Sequence, residues 1–315
     1  MLVTNPAASR YSPRLELAVA RELGAAFNVD LVRTEEPGQA TAVARVAAGE
    51  EAVAAVAVLG GDGAVNEVAN GLAGSAVALA ALPGGRTNVL ARTLGLPREP
   101  RAAAASLAAA GGRLSTRRID LGTMNGRCFT FASGIGLSAV ANRRLSRRGA
   151  GGRRLGGHLF VAELIAVIAG SPHALPPLAV DLDGPPGAIE GVSLMAQNAD
   201  PLTYLGSRPL PLGEGAGLET GTVSLTVLRE ASLRLAARLT PQLVLGHGHA
   251  LLGHEAVESC PRVHAARVRT LDGRSLEAEV DGDHAGEHEA VTYGVVPRAL
   301  SVVTGSSVER PAVCG

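Results

Sequence analysis

The sequence predicts an α/β N-terminal domain built on a parallel sheet, followed by a β-rich C-terminal sandwich domain. Three observations predict it. From Met1 to Leu82 short apolar runs alternate with segments of helical spacing. From Ile119 to about residue 290, strand-like stretches follow one another and are separated by Gly and Pro. The chain has 315 residues, 46% of them hydrophobic, which is enough for two cores. The expected boundaries are 1–120, joined by a returning segment 291–315, and 121–290.

Met1–Thr4 reads as an opening strand, and Ser12–Leu23 places Leu15, Val19 and Leu23 at helical spacing. Asn28–Val32 reads as a second strand and Ala40–Ala48 as a helix. Ala52–Leu59 is a run of small and β-branched residues, which suits a strand buried on both faces. It is closed at once by Gly60-Gly61-Asp62-Gly63. Ala64–Leu72 then reads as a helix, and Val77–Leu82 as a strand stopped by Pro83-Gly84-Gly85. The later strands are Arg127–Phe131, Leu178–Asp183, Gly191–Gln197, Thr222–Leu228, Val263–Thr270 and Leu276–Val280. One helix, His158–Ile168, interrupts them. Ala290–Val303 reads as a strand that returns to the first domain, and Gly170–Pro177 and Arg208–Gly217 as loops.

Composition excludes several function classes. The formal net charge is zero, which argues against a nucleic-acid partner held by charge. All 29 basic residues are Arg, so no lysine nucleophile and no P-loop lysine is present. Cys128, Cys260 and Cys314 lie far apart, which argues against a disulfide framework and a cysteine zinc site. The N-terminus has no basic stretch followed by an apolar one, and no apolar run reaches membrane-spanning length. A cytoplasmic protein is expected. His247, His249 and His254 lack an acidic or cysteine partner nearby and read as a turn-rich surface stretch.

The motif that carries chemistry is Gly60-Gly61-Asp62-Gly63-Ala64-Val65-Asn66-Glu67, where a buried strand ends and a helix begins. Glycines there let backbone amides approach an anion, and a helix start adds unpaired donors and a positive dipole end. Phosphate is a natural guest. Asp62 would repel it unless a magnesium ion bridges the two or the carboxylate takes a proton from an attacking hydroxyl. The plainer reading is a strand-to-helix turn with an Asp cap. A second loop, Pro83-Gly84-Gly85-Arg86-Thr87-Asn88, also follows a buried strand and opens a helix. Two such loops would lie side by side at the carboxyl ends of neighbouring parallel strands, where α/β sheets bind ligands. Asn5-Pro6-Ala7-Ala8-Ser9 follows the first strand and can reach the same edge.

These three loops, in this order, resemble the diacylglycerol kinase catalytic-domain family of bacterial lipid kinases and sphingosine and ceramide kinases. NAD kinases are more distant relatives that share the Gly-Gly-Asp-Gly-x-x-Asn-Glu block. The Pro-x-Gly-x-x-Asn loop followed by Ala91-Arg92, and the Val295–Leu300 ending, point to the lipid-kinase branch. The resemblance implies an ATP-dependent lipid kinase that uses Mg2+ and phosphorylates the hydroxyl of diacylglycerol or a related lipid. An NAD kinase-like enzyme, a sphingoid-base kinase and a non-catalytic homologue remain alternatives.

Carried over residue by residue, the resemblance assigns nucleotide contacts to Asn5, Pro6, Ala7, Ala8, Ser9 and Thr34. It assigns them also to Gly60, Gly61, Asp62, Gly63, Ala64, Val65, Asn66 and Glu67, and to Gly85, Arg86, Thr87 and Asn88. Asp62 is the expected metal ligand and, with Asp281 and Asp283, an expected catalytic acid. The family's Asp-Gly-Glu reads Asp281-Gly282-Asp283 here, so Asp283 replaces the glutamate as base; the plainer reading is a hairpin turn. Arg86 stands where the family has Thr, and a guanidinium can pair with phosphate bidentately. The acidic loop that holds a second magnesium in relatives matches Gly213–Ser224 with most carboxylates absent, so that site is expected to be lost or weak. Ser138 stands where relatives often carry Asp, which tilts the substrate towards a neutral hydroxyl lipid. Arg143, Arg144, Arg147, Arg148, Arg153 and Arg154 suggest peripheral contact with an anionic membrane, against a solvated loop as the plainer reading. A homodimer is left open.

Overall fold

The computed structural model describes residues 1–109, 113–147, 156–170, 175–183, 188–245 and 247–305. The chain divides into two compact units, Met1–Arg118 with Leu300–Gly315, and Ile119–Ala299.

The first unit is a parallel sheet with helices between its strands. Strands β1 (Leu2–Thr4), β2 (Leu31–Arg33), β3 (Ala55–Gly60) and β4 (Ala78–Pro83) pair in the order β2-β1-β3-β4. Ser301 and Val302, near the end of the chain, add a further parallel pairing beside β4. The helices are α1 (Pro13–Gly24), α2 (Gln39–Ala48), α3 (Asp62–Leu72), α4 (Val89–Thr93) and α5 (Pro100–Ala109). Ser12 starts α1 by accepting the Leu15 amide on Oγ at 3.1 Å, and Pro13 fits the first helical turn. Val56, Val58 and Leu79 are fully buried, as strands covered on both faces require. Helices α2 and α3 approach closely at Gly71, where a Cβ would lie 2.6 Å from the Thr41 carbonyl oxygen.

Several boundaries differ from the sequence reading, among them that of β3, which starts at Ala55 rather than Ala52. Strand β2 starts at Leu31 rather than Asn28. Helix α3 starts at Asp62 rather than Ala64, because the extended Gly61 is its N-cap (φ −91°, ψ −175°). Asp62 and Gly63 therefore belong to the first turn, where a carboxylate favours the helix dipole.

The second unit is an antiparallel sandwich. Its elements begin with β5 (Thr116–Met124), which starts in the first unit, then β6 (Arg127–Phe129), β7 (Ala132–Ile135), α6 (Leu137–Arg147) and α7 (Gly156–Gly170). Strands β8 (Leu178–Leu182), β9 (Ala188–Gly191), β10 (Ser193–Gln197), β11 (Thr203–Leu205), β12 (Arg208–Leu210) and β13 (Val223–Leu228) follow. Helix α8 (Leu233–Val244) precedes β14 (Val257–Val263), β15 (Ala265–Thr270), β16 (Leu276–Val280), β17 (Asp283–His288) and β18 (Ala290–Val303). One sheet runs β14-β13-β10-β7-β16-β17. In the other, β15 pairs with β8 and with Ala290–Gly294 of β18, and β8 pairs with β9. Phe129, Ile135, Leu225, Val268 and Val291 from both sheets share one core, with Phe129 edge-on to Tyr293.

The segment expected as one strand, Val263–Thr270, is the second half of a corner. Val257–Val263 pairs with β13, and Ala265–Thr270 joins the other sheet. Strands that switch sheets this way make the corners of sandwiches. The loop expected at Arg208–Gly217 contains β12, paired with β11. Helices α6 and α8 were not read as helices in the sequence: Arg and Ser crowd α6, and Pro241 sits inside α8.

Candidate active site

The strand order of the first unit places a topological switch point between β1 and β3, since β2 lies on one side of β1 and β3 on the other. Open α/β sheets bind ligands in the crevice at the carboxyl ends of such strands. The glycine loops leave the carboxyl ends of β3, which borders that point, and of its neighbour β4, and they abut each other. The Gly84 amide donates to the Gly60 carbonyl at 2.8 Å. A Cβ on Gly84 would lie 2.9 Å from Gly60 N, and one on Gly85 only 2.5 Å from Gly61 Cα. Only glycine allows this approach of two backbones.

The Asn5–Ser9 loop joins them. The Asn5 amide donates to Leu59 O at 3.2 Å, and Asn5 Oδ1 accepts the Ala7 amide at 2.8 Å. Ala8 N donates to Asn5 O, closing the turn, while Pro6, Ala7 and Ser9 are exposed. Arg10, which the sequence reading passed over, completes the tie. Its amide donates to Gly84 O at 3.1 Å and its guanidinium to Arg98 O at 2.9 Å. No motif marks it, since its contacts are to backbone carbonyls distant in sequence.

Other expected residues divide into those facing the loops and those that brace them. Asp62 Oδ1 accepts the Val89 amide at 2.6 Å, linking the starts of α3 and α4. Asp62, Gly63, Ala64 and Thr87 are partly buried, and Arg86 is exposed. Asn88, in left-handed conformation (φ 50°), closes its own loop: Oδ1 accepts Gly85 N and Nδ2 donates to Gly85 O, both at 2.8 Å. Thr34 donates its hydroxyl to Thr4 O at 3.2 Å and is buried. Val65 and Asn66 are buried in α3, with Asn70 donating to Asn66 O. Glu67 accepts the Ala40 amide at the start of α2 at 3.2 Å. Its carboxylate therefore caps a helix away from the glycine turn.

Gly61 gives helix α3 no side-chain cap hydrogen bond, and helix starts of this kind favour an anion. Among the described residues no group of three or more His, Cys, Asp or Glu is placed to hold a metal.

In the second unit, Asp281-Gly282 is the two-residue turn between β16 and β17, both residues at positive φ (48° and 84°). This is the geometry of a tight hairpin turn. The Asp281 carboxylate is 3% exposed and accepts four bonds. They come from Thr130 N at 2.7 Å, Thr130 Oγ1 at 2.9 Å, Phe131 N at 3.0 Å and Ala132 N at 3.2 Å. Burial pushes its carboxyl up, and the backbone donors offset part of that rise. Asp281 thus anchors the hairpin, and Asp283 beside it is exposed.

A further acid was not foreseen. Glu279 is buried, and burial pushes its carboxyl up to about 8, with Asp281 and Asp283 adding to the rise. Alternation along Leu276–Val280 marks Glu277 and Glu279 alike as polar positions, so nothing in the sequence separates the buried one. The unit also holds an apolar cavity of about 180 Å³ between α6, α7, α8 and the sheet, lined by Phe160, Leu164, Leu235 and Leu239 among others.

Of the six arginines considered for membrane contact, Arg148, Arg153 and Arg154 lie outside the described residues. Arg143 is bonded to Glu277 at 2.6 Å and lies 3.7 Å from Glu287, while Arg144 and Arg147 are exposed. Among the described residues no helix is long and apolar enough to cross a membrane.

Known proteins resemble this chain in sequence and in fold. Residues 1–124 match the diacylglycerol kinase catalytic domain family. A Bacillus subtilis (strain 168) protein named "Diacylglycerol kinase" is 35% identical over 139 residues, 43% of this chain and 45% of the relative. A Pseudomonas aeruginosa protein named "Probable lipid kinase YegS-like" is 39% identical over 138 residues, 41% of each chain. The chain thus spans less than half the length of these two relatives. A Mycobacterium tuberculosis "Diacylglycerol kinase" is 29% identical over 256 residues, 79% of this chain and 76% of the relative. A Bacillus anthracis (strain Sterne) crystal structure, named "a putative diacylglycerol kinase", shares the fold with TM-score 0.74 at 22% identity. That match covers 98% of this chain and 97% of the other. The α/β unit with its β-rich companion is therefore a diacylglycerol kinase-like fold, and residues 1–124 match the model of the diacylglycerol kinase catalytic domain family.

Proposed function

We propose that this chain is an ATP-dependent lipid kinase that transfers the γ-phosphoryl group to the hydroxyl of diacylglycerol or a related lipid. The observation that carries the reading is the abutment of two glycine loops at the carboxyl ends of β3 and β4, next to the sheet's switch point, with Gly84 N on Gly60 O at 2.8 Å. Two turns so close, beside an uncapped helix start, suit the binding of a polyphosphate through backbone amides. Arg86, exposed on the second loop, adds a guanidinium that can pair with phosphate oxygens.

In the reaction the lipid hydroxyl oxygen bonds to the γ-phosphorus as the bond to the β–γ bridging oxygen breaks. The hydroxyl proton passes to a carboxylate, Asp62 or Asp283. The leaving diphosphate end stays among the backbone donors of the glycine loops, so catalysis is mostly positioning and charge stabilisation. Asp62 would hold magnesium, which supplies neutralisation of phosphate charge. Asp281 holds the turn that carries Asp283 and is not itself the base, because its oxygens already accept four bonds. The apolar cavity of the second unit supports an acceptor with hydrocarbon chains. Contact with an anionic membrane surface through Arg144 and Arg147 belongs to the same proposal.

Radiolabelled ATP offered with diacylglycerol, a sphingoid base or NAD tests the reading. Labelled phosphatidate is the expected product. Label on NAD, or on no acceptor at all, overturns it.

A further inference from the structure

Two of the residues that line the apolar cavity of the second unit carry hydroxyls that its apolar walls do not explain. Ser138 and Thr226 are buried (5% and 8% exposed), and their hydroxyl oxygens have no hydrogen-bond partner. An unpaired buried hydroxyl is costly, so two in one apolar pocket point to an occupant that completes them.

Register shows how they come together. Thr226 of β13 pairs with Met195 of β10, Met195 with Gly134 of β7, and Gly134 with Glu279 of β16. Directly paired residues of antiparallel strands stand on the same face, so these four form one row across the sheet. Gly134 leaves a gap in the row. A Cβ there would collide with Ser138 Oγ, arriving from the first turn of α6, and would lie 2.8 Å from Glu279 Oε1 and 3.2 Å from Met195 Cε. Ser138 and Glu279 thus share the space over one glycine. Both Ser138 and Met195 line the cavity, and Glu279 stands behind them.

We propose that Ser138 and Thr226 donate hydrogen bonds to an uncharged amphiphile bearing acceptor oxygens, such as a glycerolipid ester, and that Glu279 is the positioning residue that orients the Ser138 hydroxyl. A protonated Glu279 leaves the Ser138 proton free for the occupant. An ionised Glu279 draws that proton to itself. The groups around Glu279 are named readily. Gly282 N donates to its Oε2 at 2.8 Å, and Asn142 of α6 also bonds to it. Ser133 of β7 donates to its carbonyl oxygen, and Tyr293 of β18, Asp281 and Asp283 complete the surroundings. His284 of β17 is its partner in register. The nearby cation Arg143 is held by Glu277. Burial raises the Glu279 carboxyl to about 8, so it is mostly neutral at pH 7.

The inference deepens the lipid-kinase reading, yet its test needs no nucleotide. Calorimetric titration of the full chain with dispersed dioctanoylglycerol, and separately with sphinganine, is made at pH 7 and pH 9. Dioctanoylglycerol affinity is expected to fall several-fold at pH 9, and in Glu279→Gln to stay level. Ser138→Ala and Thr226→Val are each expected to weaken it by roughly fivefold at pH 7, the loss of one hydrogen bond. Wild-type affinity in both variants, a slope that survives Glu279→Gln, or sphinganine binding that tightens at pH 9 and exceeds dioctanoylglycerol at both pH values overturns the proposal. Intact lipid binding without phosphoryl transfer would instead sink the kinase reading alone.

Discussion

Asp62 accepts the Val89 amide at 2.6 Å, so one carboxylate fastens the start of α3 to the start of α4 and still belongs to the glycine turn. Its structural and chemical roles can be separated. Asp62→Asn keeps an acceptor oxygen for Val89 but removes the charge. Phosphoryl transfer is expected to drop by about a hundredfold or more, the usual range for losing an acid–base group, with a thermal midpoint near wild type. Asp62→Ala should lower the midpoint as well. Normal turnover in the Asn variant removes Asp62 from the chemistry.

Gly85→Ala tests the abutment of the loops. The new Cβ would stand 2.5 Å from Gly61 Cα, a backbone atom that cannot swing aside. A cost of about 1–3 kcal/mol is expected in urea unfolding, with a clear loss of fluorescent-nucleotide affinity. Gly24→Ala is the matched control, because nothing lies within 4 Å of that position. Equal behaviour of the two variants would contradict the close approach.

The hairpin acids should split cleanly. Asp281→Ala orphans four buried donors and is expected to cost roughly 2–4 kcal/mol of stability. Asp283→Asn, at an exposed position, should leave unfolding unchanged while lowering turnover. Should turnover also hold, Asp62 is the proton acceptor.

Glu279 links stability to pH. Its folded value of about 8 lies above the ordinary carboxyl value of 4.5, so the folded state holds the proton more tightly. Stability from this group is therefore greatest below about pH 4.5 and falls as pH rises to about 8, then levels. Glu279→Gln is expected to melt above wild type at pH 9, with the gap closing towards pH 5. Parallel melting curves across that range would show that the carboxyl is not raised.

Much of the candidate site was legible because it is local. A run such as Ala52–Leu59 closed by glycines states its own burial and its own turn, and Asp281-Gly282 states a hairpin within two residues. The helix start at Asp62 was misplaced by two residues because capping by Gly61 depends on backbone conformation, not on a capping side chain. Glu67, Thr34 and Asn88 carry the family's polar pattern, yet folding turns their polar atoms to α2, to Thr4 and to Gly85.

By itself the sequence determined the strand–helix alternation of the first unit, the glycine turns at strand ends, and the acid within them, since each depends on neighbours along the chain. Tertiary structure alone decided that Gly60 meets Gly84, that Asp281 is spent on Thr130 to Ala132, and that Thr226, Met195, Gly134 and Glu279 share a row. Strand register is chosen by the burial of whole faces against distant segments, and a shift of one residue would send every side chain to the opposite side.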